Sequence, residues 1–393
     1  MSTIKSSDDH LTLNADGSSK NILFQADGVQ KASISSAGLF TSTTIDATAL
    51  TGNLPAIDGS SLTGIAGVGK NLIINGAMQV AQRGTSSTFT QSDKGYKTVD
   101  RFKVWEQGTP TAVFDLTQET DAPSEFKHST KLACTTANTS GIPASVHMYV
   151  QYSPEASDLH RLSWGTSDAK ATTLSFWAKS NLAGTYVVSF NAVGNDSGVD
   201  DSACNFYTAP YTLDGSGDWQ YITLAIPANT LSNIKLAADN SVGMEIKWVI
   251  QSGTNYSSGS ALTGWTNSPD QNQKEAGQTA DLGATVGKYW QITGVKLEVG
   301  TAATDYDHRS YGEELRACQR YYEMAYETIA AGSSSGSNSC PVFFMVEKRA
   351  APTIGYSALY STVNAVSISG CYITRGNNQG AATIGGMTAD AEL

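Results

Sequence analysis

The chain is poor in charge. Asp, Glu, Lys and Arg make up 16% of its 393 residues, against about a quarter in ordinary globular sequences, so the surface is expected to be solvated by hydroxyls or buried between subunits. Positive charge is the scarcer sign: 25 Lys and Arg face 36 Asp and Glu, a net charge of −11. That balance excludes a nucleic-acid partner, which needs a basic stripe to neutralise phosphates, and adsorption to anionic membranes by charge alone. Cysteine is sparse and unpatterned. Cys134, Cys204, Cys318, Cys340 and Cys371 are odd in number and never spaced CxxC, which argues against a disulfide framework or structural zinc and fits assembly in a reducing cytoplasm. Long apolar runs are missing, the densest being Val342–Val346, too short to span a bilayer. Met1–Lys5 lacks the apolar core of a signal peptide, so a role outside the cell is expected to follow lysis or incorporation into a particle.

Catalytic and metal signatures are missing too. No GxSxG, HExxH or Walker A pattern occurs, and His10, His128, His147, His160 and His308 show no ligand spacing. Asn195–Asp201 is rich in oxygen ligands but lacks the EF-hand order. The acids Asp196, Asp200, Asp201, Asp305, Asp307, Glu313 and Glu314 read as solvated loop groups, and nothing places two of them across a sugar as glycoside hydrolysis requires. No cofactor, no metal and no enzymatic activity are expected. Helical periodicity is essentially absent before Ser310.

What the chain has is turns and alternation. There are 37 glycines, and residues 1–69 carry short alternating stretches punctuated by Asp16-Gly17 and Asp27-Gly28, dipeptides that favour the positive φ of tight hairpins. Leu50-Thr-Gly52 recurs as Leu62-Thr-Gly64. Strands this short bury too little apolar surface to fold alone, a deficit that three copies wound together would remove. Beyond Gly64–Gly69, strands are expected at the spacing of a β-sandwich or jelly roll: 102–106, 112–117, 131–135, 144–151, 172–179, 184–192, 219–226, 243–251 and 288–299. In Thr173–Lys179 the alternation sends Leu174, Phe176 and Ala178 to one face and Ser175, Trp177 and Lys179 to the other.

The stretch from Gly287 to Glu323 organises the rest. Strict alternation would put Ile292, Gly294, Lys296 and Glu298 on one face of a strand, and Thr293, Val295, Leu297 and Val299 on the other. Ser310-Tyr-Gly-Glu313 then offers a capping box, with a helix to about residue 320 and a strand after it. Further strands are expected at 341–346, 353–357, 363–374 and 381–384.

The segment ITGVKLEVGTAATDYDHRSYGEELRACQRYY closely resembles one found in bacteriophage tail fibres and related receptor-binding virion proteins. Asn71–Ser86 (NLIINGAMQVAQRGTS), Val99–Trp105 and Thr173–Ser180 resemble the same family in the same order, and the central part also resembles carbohydrate-binding jelly rolls. The resemblance implies an all-β chain in three parts. An N-terminal trimeric β shaft or attachment segment spans 1–69, a jelly-roll sandwich 70–308, and a short helix with a smaller receptor-binding tip 309–393. It implies a homotrimer joined through its N-terminal segment to phage tail or adaptor proteins. It further implies a virion location after assembly in the host cytoplasm, and adhesion to a host cell-surface polysaccharide or protein receptor. The alternatives are a purely structural connector or capsid fibre, and a fibre that also cleaves glycan.

Aromatics supply the candidate site. Seven Trp and 17 Tyr are many for so polar a chain, and sugars lay their C–H faces on such rings. Trp164 and Trp265 lie in polar stretches, where burial is less expected than for Trp177, Trp219 and Trp290 within strand patterns. In the tip, Tyr356, Tyr360, Tyr372 and Arg375 accompany Asn377 and Asn378. These eight residues are the sequence's candidates for glycan or receptor contact.

Overall fold

A computed structural model describes residues 20–37, 40–42, 71–90, 94–108, 112–193, 204–234, 236–329, 338–356, 362–375 and 382–393. The chain divides into two compact units, Met1–Gly59 and Ser60–Leu393. In the first, β1 (Ile22–Ala26), β2 (Val29–Ile34) and β3 (Phe40–Ser42) form one antiparallel sheet. The expected turn joins β1 to β2, with Asp27 and Gly28 both at positive φ (53° and 73°), as a type I′ hairpin requires. The Asp16-Gly17 turn and the Leu-Thr-Gly repeats lie outside the described residues.

The second unit is a β-sandwich followed by a helix and two small sheets. Its strands are β4 (Ser86–Phe89), β5 (Gly95–Tyr96), β6 (Lys103–Gln107), β7 (Val113–Glu119), β8 (Ser129–Thr136), β9 (His147–Tyr152), β10 (Thr172–Ser180), β11 (Gly184–Ala192), β12 (Asn205–Leu213), β13 (Gln220–Ile226), β14 (Met244–Ser252), β15 (Thr266–Asn267) and β16 (Tyr289–Val299). Six of them make one sheet in the order β13-β10-β16-β8-β7-β4, and seven the other, β15-β12-β11-β14-β9-β6-β5. The fold class is therefore the expected all-β jelly-roll sandwich. Inward side chains of both sheets fill one core, in which Phe176, Phe190, Trp248 and Trp290 are fully buried.

One expectation for β16 fails in an informative way. Trp290, Ile292, Val295 and Leu297 all face the core, although 292 and 295 have opposite parity. Against β10, Ser175 pairs with Lys296 and Trp177 with Thr293. Gly294 and Val295 thus stand opposite the single residue Phe176, a β-bulge that flips the face assignment midway. Gly294 takes φ +65° there, and a Cβ on it would lie 2.7 Å from the Phe126 ring.

The helix Tyr311–Gln319 starts with the expected capping box: Ser310 Oγ accepts from the Glu313 amide, and Glu313 accepts from the Ser310 amide. The strand after it, β17 (Tyr322–Ile329), joins β22 (Ala382–Asp390) and β19 (Thr353–Gly355), while β18 (Asn338–Phe343), β21 (Gly370–Arg375) and β20 (Thr362–Asn364) form a second sheet. The expected single strand 363–374 is two, parted where Ala365 enters positive φ (47°).

The segments that carry the family resemblance meet where this C-terminal part docks on the sandwich. Asn71 donates to the Val295 carbonyl and accepts from the Ile73 and Leu297 amides, tying the chain to β16 on either side of Lys296. Gly76 lies so close that a Cβ would stand 2.1 Å from the Val295 oxygen. Buried Glu314 of the helix accepts from the Asn75 amide. Arg101, fully buried, donates to Glu392 and to the Ser153 carbonyl, with Tyr321 3.4 Å and Tyr152 5.2 Å from its guanidinium carbon. Arg83 lies 3.5 Å from the Tyr322 ring and reaches Asp390 and Glu392. Arg320 makes a two-pronged contact to Glu155, both prongs 3.0 Å.

Candidate ligand-binding site

The alternation of β10 sends Trp177 outward from the six-stranded sheet, and the β10–β13 register places Tyr221 directly across from it. The two rings lie 5.1 Å apart at 48°, and Tyr221 is 46% exposed. The Gly294 bulge leaves the floor beside Trp177 free of a side chain. The result is an open cavity of about 260 Å³ lined by Glu125, Phe126, Trp177, Tyr221, Thr304 and Asp305, among others.

The far wall is the segment after β16, held down by a buried lysine. Lys296, 1% exposed, donates to Thr304 Oγ1 (2.7 Å) and to the Asp305 carbonyl (2.6 Å), with Glu298 at 3.4 Å and Asp307 at 3.5 Å. Glu298 in turn accepts from the Thr304 amide and hydroxyl at 2.8 and 2.6 Å. A triad of rings, Phe126, Tyr306 and His308, closes the corner with centroids 4.9–5.2 Å apart. Burial, aided by the Glu314 charge, raises the Tyr306 phenol well above its ordinary value, so it remains a neutral hydroxyl.

Further along the same face, Asp121 ties β10 to the approach of β13. It accepts from the Lys179 ammonium and, at 3.4 Å, from the Trp219 indole. Partial desolvation opposes its charge, but the bond and charge of Lys179 prevail and hold the carboxyl below the usual carboxylate range. The face thus offers two adjacent aromatic rings bordered by carboxylates and hydroxyls, the combination that takes a sugar's apolar face and its hydroxyl edge together. Among the described residues, no group of three or more His, Cys, Asp or Glu is placed to hold a metal ion.

The eight sequence candidates are scattered. Trp164 and Trp265 are 4% and 9% exposed and sit in the sandwich core, rings 5.0 Å apart. Their indole N–H groups are satisfied by backbone carbonyls, Trp164 to Lys170 and Trp265 to Pro227. Polar sequence neighbours had suggested exposure; instead these side chains turn inward from loops that cap the sandwich end. Tyr356 and Tyr372 are exposed, 42% and 49%, Tyr372 beside Pro341 and Asn364 in register across β21. Tyr360, Asn377, Asn378 and the side chain of Arg375 lie outside the described residues. Trp177 and Tyr221 were not among the candidates, although Trp177 opposes Leu174, Phe176 and Ala178 in the alternation, and once that trio is the core face the indole must point out.

No protein-family model matches the chain, and no curated protein matches it in sequence. Among solved structures it is similar to the enzymatically active domain of tailspike protein 4 of bacteriophage CBA120, at 12% identity and TM-score 0.29, over 58% of this chain and 21% of that one. The chain thus spans about a fifth of that structure's length. It is similar also to a family 11 carbohydrate-binding module from Clostridium thermocellum in complex with a mixed-linked tetrasaccharide, at 10% identity and TM-score 0.28, over 56% of this chain and 98% of that one. A third is a sugar-binding protein of Bacteroides thetaiotaomicron described as putative, at 11% identity and TM-score 0.30, over 58% of this chain and all of that one.

Proposed function

We propose that the protein is a non-enzymatic virion fibre that attaches a phage to its bacterial host by binding surface glycan, and that the Trp177–Tyr221 cavity is the glycan site. The observation that carries this reading is the aromatic pair, Tyr221 exposed and Trp177 half-buried, with Glu125 and Asp305 at its rim, opened by a glycine bulge and walled by a segment pinned to a buried lysine. The resemblance of Asn71–Ser86 and Ile292–Tyr322 to tail-fibre sequences supports the virion role. In this reading the chain is a homotrimer, its N-terminal segment attaches to tail or adaptor proteins, and adhesion is multivalent: weak sites on three subunits and many fibres add avidity without a stronger single contact.

Fluorescently labelled full-length protein is expected to bind host cells, to be displaced by that host's purified surface polysaccharide, and to leave the polymer's length unchanged. Absence of cell binding across candidate hosts would favour a purely structural component. Shortening of the polymer would make it a cleaving fibre.

A further inference from the structure

The outer face of the seven-stranded sheet carries a cluster that the first site does not use. Trp105 of β6 is 36% exposed and stands in register opposite Tyr149 of β9. The Lys94 ammonium is 4.8 Å from the Trp105 ring centroid and that of Lys103 5.9 Å. In the neighbouring row Lys103 pairs with Gln151, and Gln151 with Lys247. Lys247 is committed: it bonds Glu245 at 2.7 Å, and Glu245 is further engaged by Gln151 and Asn191. Lys94 and Lys103 form no ion pair among the described residues, Lys103 donating only to the Leu393 carbonyl at 3.2 Å.

In a chain of net charge −11, two ammonium groups lie beside one exposed indole. The carboxylates whose charge reaches them, Glu106 for Lys94 and Glu245 and Glu392 for Lys103, are buried. That leaves the Lys94 ammonium as the exposed charge beside the ring. We propose that this face is a second saccharide site, selective for an anionic sugar whose ring packs on Trp105 and whose acid group pairs with Lys94 and Lys103. Lys94 is exposed and free to move from indole to anion, giving the ring face to the sugar. The inference rests on the saccharide-binding reading for its ligand class, but uses none of the Trp177 cavity.

Calorimetric titration of the full-length protein with a galacturonic acid trisaccharide, its neutral methyl ester and a phosphorylated hexose tests it. The acid is expected to bind at least about tenfold more tightly than the ester, to weaken with added salt, and to lose about tenfold or more in Lys94→Glu and in Trp105→Ala, both at exposed positions. Binding should persist in Trp177→Ala, which separates this site from the first. A phosphorylated hexose with the same dependence on Lys94 and Trp105 also supports the site and reads its anion as phosphate. Equal binding of acid and ester, indifference to both substitutions, or loss of acid binding in Trp177→Ala overturns the proposal.

Discussion

Arg101→Ala is expected to destabilise the second unit by about 3–5 kcal/mol, the usual cost of removing one partner from a buried ion pair. Arg101 is completely buried, and its side chain joins β9, the end of the helix region and the segment after β22 through Ser153, Tyr321 and Glu392. Desolvation alone would disfavour the guanidinium, yet Glu392 and the surrounding phenols hold its pKa above the ordinary value. Alanine removes the cation and leaves Glu392, 4% exposed, with Arg83, 3.4 Å away, as its one ion-pair partner among the described residues. The double variant Arg101→Ala/Glu392→Gln should recover part of the loss, because the orphaned charge is gone as well. Urea unfolding monitored by tryptophan fluorescence measures both. A loss below about 1 kcal/mol for the single variant would contradict the junction described above.

Glu106→Gln should stabilise the protein, and only towards alkaline pH. Glu106 faces the core from β6, fully buried, and among the described residues neither carboxylate oxygen has a hydrogen-bond partner. Burial pushes its pKa up to about 7 against the smaller opposing pull of Lys94. With the folded value above the unfolded one of 4.5, the folded state holds the proton more tightly, so stability is fully present below pH 4.5 and is lost as pH rises through 7. The full loss is on the order of 3 kcal/mol. Glutamine never ionises, so the variant should exceed the parent at pH 8 and come close to it at pH 5. Asp100, raised by burial to about 6, gives a slope of the same sign at lower pH and should keep its share in both proteins. Equal unfolding midpoints for variant and parent at pH 8 would show that Glu106 meets its charge elsewhere.

Local patterns were legible where one physical rule dominated. The Asp27-Gly28 hairpin, the Ser310/Glu313 cap and the Leu174/Phe176/Ala178 face each follow from a backbone or burial preference contained within a few residues. Strand β12 was missed. Pro210 cannot donate to a ladder and argues against a strand, but β12 meets β15 only at Asn205 and Phe206, so Pro210 lies where the missing N–H has no partner to lose. The bulge in β16 was hidden as well, because alternation carries no mark of an inserted residue except the glycine that tolerates positive φ. The site was the least legible part. Polar neighbours report what surrounds a residue along the chain, whereas Trp164 and Trp265 are covered by segments distant in sequence. Trp177 and Tyr221 meet only through the β10–β13 register.

Glycan is expected to bind in the Trp177–Tyr221 cavity. A panel of bacterial surface glycans identifies the best ligand, and calorimetric titration of the full-length protein with it then compares the parent with Trp177→Ala and Tyr221→Ala. Each truncated ring is expected to weaken binding about tenfold or more, with the unfolding midpoint of the Tyr221 variant near that of the parent. Full affinity in both variants would contradict the claim and move the binding surface elsewhere on the protein.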